Sequence, residues 1–104
     1  MRYLLNSAVI TAPGRYEYRL ITQEEAADWM RQGGFTSRVG YPNTANHILA
    51  ISGVRPDINR EPTKMRPGDM ALVVRLKYRM QNPGEKAAYQ PGPEDWEYGI
   101  LTCN

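Results

Sequence analysis

The chain has 104 residues, 41% hydrophobic and 23% charged, proportions that suit one soluble globular domain spanning residues 1–104 around a single modest core. Its 13 basic and 11 acidic residues leave a net charge of +2, which argues against a DNA or RNA polymer as partner because such partners call for a strongly basic face. The single cysteine, Cys103, excludes an intrachain disulfide and a cysteine metal site; with no signal-peptide core and no run long enough to cross a membrane, a reducing cytoplasm is the expected compartment.

Tyr3 to Thr11 is apolar and β-branched and reads as a buried first strand interrupted by the polar pair Asn6-Ser7. Pro13-Gly14 marks a turn, after which Tyr16, Tyr18 and Leu20 alternate with Glu17 and Arg19 at the period of a half-buried strand. These two segments are expected to pair as a hairpin. Thr22, with Glu25 three residues later, forms a capping box that opens a helix. Ala26, Trp29 and Met30 supply its inward stripe, and Gly33-Gly34 ends it. Phe35 to Val39 reads as a short strand or extended connection.

A second helix is predicted after Gly40-Tyr41-Pro42, with Asn43 as N-cap, Ala45, Ile48, Leu49 and Ser52 facing inward, and Gly53 as the stop. Residues 54–69 are loop-rich, and Arg66-Pro67-Gly68-Asp69 has the pattern of a type II turn. From Met70 a strong strand alternates Leu72, Val74, Leu76 and Tyr78 with Val73, Arg75, Lys77 and Arg79. Residues 81–94, with three prolines and two glycines, read as a mobile loop, and Trp96, Tyr98, Ile100 and Thr102 as a last strand. The expected fold is a small single-domain α/β protein with a mixed, mostly antiparallel sheet of about five strands and two main helices.

The start of the second helix is the most informative place for chemistry. Gly40 permits close backbone approach, and helix-start amides aided by the helix dipole suit a phosphate. Arg60, in a loop, and Arg79, at the end of the strong strand, are the guanidinium groups that could grip phosphate through paired hydrogen bonds. His47, the one histidine, lies in mid-helix about 100° from Ile48 and reads as a rim residue beside the apolar stripe. Glu24-Glu25 suit the first turn of a helix. No residue spacing matches a metal site, a Ser–His–Asp set, a Walker loop or a dinucleotide fingerprint, so no metal or cofactor is expected.

Four segments in order carry a resemblance: Tyr3-Leu4-Leu5-Asn6-Ser7-Ala8, the run from Phe35 through Gly40-Tyr41-Pro42-Asn43-Thr44 to Ala45, Ile58-Asn59-Arg60, and Met65 to Leu72. Together with a strand ending in Arg79 they resemble the viral type III anti-CRISPR ring nuclease family and its bacterial and phage homologues, over nearly the whole chain. The resemblance implies a symmetric dimer that binds cyclic tetra-adenylate, the alarm molecule of type III CRISPR systems, across its two-fold axis. In that family the nucleotide is cleaved without a metal: a ribose 2′-hydroxyl attacks the adjacent phosphorus and a histidine protonates the leaving oxygen.

Carried over position by position, the resemblance implies a ligand-binding set of Asn6, Ser7, Gly40, Tyr41, Asn43, Thr44, Arg60, Tyr78, Arg79 and Asn82. Tyr41 stands where the family has its catalytic histidine, Asn82 where it has an assisting glutamate, and Val9 where it has a serine. A general acid works best with a pKa near ambient pH, close to 7 for histidine but about 10 for a phenol, and an amide does not titrate at all. The expectation is therefore binding without cleavage. The chain would sequester a cyclic nucleotide, of cyclic oligoadenylate or cyclic ADP-ribose type, with Arg60 and Arg79 converging near the second helix and Tyr41 on the rim. The alternative is a metal-independent ring nuclease.

Overall fold

The computed structural model describes residues 1–6, 13–76 and 95–104. In chain order the elements are β1 (Arg2–Leu5), β2 (Tyr16–Ile21), α1 (Gln23–Gln32), β3 (Thr36–Ser37), α2 (Pro42–Ser52), β4 (Met70–Leu76) and β5 (Trp96–Cys103). They form an α/β fold with a mixed sheet of five strands in the order β2-β5-β4-β1-β3 and two helices. Among the described residues β2 on β5 and β5 on β4 run antiparallel, while β4 on β1 and β1 on β3 run parallel.

β4 is central because its sequence is apolar on both faces: Ala71, Leu72, Val73 and Val74 are all buried. Leu72 and Val74 join Leu4, Trp96, Tyr98 and Ile100 on the face that both helices cover, where Ala26, Trp29 and Met30 of α1 and Ala45 and Ile48 of α2 complete the core. Ala71 and Val73 face the other way, with Tyr3, Leu5, Leu101, Cys103 and the loop residue Met65. The strand period read from the sequence is therefore present, but the second face is buried as well as the first. No helix among the described residues is long and apolar enough to cross a membrane.

The capping box is formed, with the Glu25 amide donating to Thr22 Oγ1 at 3.1 Å and the Thr22 amide to Glu25 Oε1 at 3.2 Å. Gly53 ends α2 in the left-handed conformation. Gly68 has φ +96° and the Asp69 amide donates to the Arg66 carbonyl at 2.9 Å, as a type II turn requires.

Three local expectations are corrected. β1 and β2 do not form a hairpin: β1 is drawn into the interior between β4 and β3, and β2 pairs with β5. Glu17 to Leu20 are exposed, which suits an edge and not a place beside the buried β1. Asn43 is not the N-cap of α2. Tyr41 is, with Pro42 as the first helical residue, because the fixed φ of proline suits that position and its missing N–H would have had no partner there. Leu49 is 40% exposed, since it lies one helical step past the Ala45–Ile48–Ser52 stripe. The end of the expected first strand and the loop over residues 81–94 lie outside the described residues.

Candidate functional site

Four of the residues implied as ligand-binding meet where β1 ends and α2 begins. The Arg38 amide donates to the Leu4 carbonyl and the Asn59 amide to the Val39 carbonyl, each at 2.8 Å, and Val39 and Ile58 form a parallel bridge. These backbone bonds align three segments that are distant in sequence. Asn6 closes the first gap by accepting from the Gly40 amide at 3.3 Å through Oδ1. Arg60 closes the second by donating from Nε to the Gly40 carbonyl at 2.8 Å. The backbone N–H and C=O of Gly40 are thus both held by side chains that the resemblance implies as ligand-binding.

Gly40 lets the Arg60 stem approach closely here. A Cβ on it would lie 3.0 Å from Arg60 Cγ, so the arginine stem crosses the glycine at close range. The guanidinium carbon then sits 5.5 Å from the centre of the Tyr41 ring, within the range of a cation–π contact. Tyr41 is 49% exposed and lies on the rim of this group. Its side chain does not cap the helix, and Pro42 has no N–H, so the first-turn amides are those of Asn43 and Thr44. Asn43 is exposed and the Thr44 side chain is buried, which leaves Thr44 its backbone as the group to offer an anion. Ser7, Tyr78, Arg79 and Asn82 lie outside the described residues, as does the convergence of Arg60 with Arg79.

The sequence reading passed over Arg38. Its Nη2 approaches Glu61 Oε2 at 3.8 Å, its guanidinium stands 5.9 Å from the Tyr3 ring centre, and its Nε is buried without a hydrogen-bond partner among the described residues. An arginine directly before the buried Val39 was the available signal. His47 is on the rim, as its helical position predicted, and its contacts lie away from Tyr41. Its ring stacks on Trp96 at 4.3 Å between centres, and Nε2 lies 2.6 Å from the Tyr98 hydroxyl. Burial pushes the His47 pKa below its ordinary value and raises that of Tyr98 to about 12, so both groups stay neutral near pH 7. Among the described residues no three His, Cys, Asp or Glu side chains are grouped to hold a metal ion.

The STIV B116-like family matches residues 2–89, a stretch that holds every residue of the site. The chain belongs to this family. YddF of Bacillus subtilis (strain 168) is 32% identical over 95 residues, covering 83% of this chain and 88% of YddF. Protein 26 of Sulfolobus islandicus filamentous virus (isolate Iceland/Hveragerdi) is 33% identical over 85 residues, covering 78% of this chain and 72% of that protein. B116 of Sulfolobus turreted icosahedral virus superposes with a TM-score of 0.73 over 97% of both chains at 15% identity, a likeness of fold.

Proposed function

We propose that this STIV B116-like protein binds a cyclic nucleotide signal of bacterial antiviral defence, of cyclic oligoadenylate or cyclic ADP-ribose type, and sequesters it uncleaved. The observation that carries this reading is the clamp on the Gly40 peptide. Asn6 and Arg60 fix the backbone just ahead of the first-turn amides of α2, and Arg60 brings a guanidinium to the exposed ring of Tyr41. A phosphate met by that guanidinium and those amides, with a base stacked on the tyrosine, uses each group for what it does well. A phenol at the rim in place of an imidazole favours holding the nucleotide over cleaving it, since a phenol is a poor proton donor near neutral pH. The same reading has the protein acting as a symmetric oligomer in the cytoplasm of the cell that makes the signal, so that one subunit's contacts serve a two-fold ligand twice.

Calorimetry against a panel of cyclic oligoadenylates and cyclic ADP-ribose isomers tests it. Binding tighter than micromolar to one of them, with intact ligand recovered after heat denaturation, is expected. Arg60→Ala should weaken that binding by roughly 10- to 100-fold, because a charge-assisted hydrogen bond contributes about 1.5–3 kcal/mol. No binding to any member would refute the reading. A linear product formed in the presence of chelator, and lost in Tyr41→Phe, would replace it with a metal-independent ring nuclease.

A further inference from the structure

Arg38 reaches the site from beside Gly40. Val39 is bridged to Ile58 and fully buried, so the chain is extended there and its side chains alternate in direction. Arg38 and Gly40 therefore share one side of the chain, about 6.6 Å apart along it, with Val39 turned into the core. The stem of Arg60 crosses Gly40 on that same side, at the place a Cβ would take. Two guanidinium-bearing side chains are thus brought to one face of the Gly40 segment, and Glu61 follows directly after the second of them.

The two arginines are not equally satisfied. Arg60 donates from Nε to the Gly40 carbonyl at 2.8 Å. Arg38 donates from Nη1 to the neighbouring Ser37 carbonyl at 3.3 Å, but its Nε is buried and has no hydrogen-bond partner among the described residues. Its Nη2 stands 3.8 Å from Glu61 Oε2, too far for a hydrogen bond. Nη2 and Nε form one edge of the planar guanidinium, the kind of edge that takes a carboxylate or phosphate through two parallel bonds. Here that edge meets a single carboxylate, at a distance. Glu61 is 71% exposed, and an ion pair with so exposed a partner contributes little. A buried donor without a partner is costly, and folded proteins seldom keep one for packing alone. The Arg38 side chain is itself 19% exposed, so an anion can reach it from solvent once Glu61 turns aside.

We propose that Arg38 is a second phosphate-binding residue of the Gly40 site, and that Glu61 holds the place of the phosphate in the free protein and gives it up when the ligand binds. The identity of the ligand rests on the nucleotide reading; the exchange of carboxylate for phosphate does not. Calorimetric titration of inorganic pyrophosphate, and of the cyclic nucleotide panel, into wild type and three variants tests it. Glu61→Gln, on an exposed side chain, should tighten pyrophosphate binding roughly 3- to 10-fold. Arg38→Gln should weaken it about 10-fold. The double variant separates exchange from simple charge. Loss of an acidic group near any anion site aids binding through space, and that gain would persist without Arg38. If Glu61 acts by occupying Arg38, adding Glu61→Gln to Arg38→Gln gains nothing. Unchanged or weaker binding in Glu61→Gln, an equal gain in both backgrounds, or no pyrophosphate binding by any of the four proteins would each overturn the proposal. The expected pattern with pyrophosphate, but no binding of any cyclic nucleotide, would refute the nucleotide reading and keep Arg38 as an anion ligand. Tight nucleotide binding that is indifferent to both substitutions would do the reverse.

Discussion

His47 and Tyr98 share a 2.6 Å contact in surroundings that favour the uncharged form of both. The histidine's folded-state pKa lies below its unfolded value of 6.5, so the unfolded chain takes up the proton more readily in acid. Its contribution to stability is complete above pH 6.5 and is lost as pH falls through that value toward the folded pKa. Urea unfolding of the wild type should accordingly show stability declining from about pH 7.5 to about pH 5.5. His47→Phe keeps a ring against Trp96 with nothing to titrate, and should decline less over the same interval; equal slopes would show that burial does not depress the histidine. The rim position of His47 was legible from helical spacing. Its partner was not, because Tyr98 lies 51 residues away and only the sheet brings it near. Arg60 was legible as a loop arginine in the same limited way, since the carbonyl of Gly40 that holds its Nε lies 20 residues away.

The two helix starts separate what neighbouring residues decide from what they leave ambiguous. At α1 a single signal acts: Thr22 and Glu25 cap each other, and the sequence shows it directly. At α2 two signals adjoin, since Asn43 is a good cap and Pro42 a good first residue; the proline prevails and moves the start forward. Thr22→Ala should therefore cost about 0.5–2 kcal/mol. Asn43→Ala, in the first turn with no capping role, should stay within about 0.5 kcal/mol. Each kcal/mol corresponds to roughly 4–8 °C in a domain of this size, so thermal melts followed by circular dichroism resolve the two. Equal losses would return Asn43 to the cap. Strand pairing was harder to read. The alternation in β4 and β5 was plain, but that β1 runs parallel to β4 and leaves β2 at the edge depends on contacts across the whole chain. Turn chemistry at Pro13-Gly14 pointed to a hairpin that the core overrode.

Across the whole molecule, the Gly40 cluster sits at the β1–β3 end of the sheet and the exposed strand β2, which carries Arg19, at the other, with β5 and β4 between. Three strand spacings of about 4.8 Å put roughly 14 Å between β2 and β1. Sites that far apart with no shared partner usually behave independently. Arg19→Glu, on the exposed edge strand β2, should thus leave nucleotide affinity per subunit within about two-fold of wild type. Tyr41→Ala should do the opposite and cost about 1–3 kcal/mol of binding if the ring stacks on a base. Calorimetry on the two variants checks both halves. A ten-fold loss of affinity in Arg19→Glu would mean that the β2 edge helps build the nucleotide site. If only Tyr41→Ala moves the affinity, the ligand is held at the β1–β3 end of the sheet and the β2 edge plays no part in it.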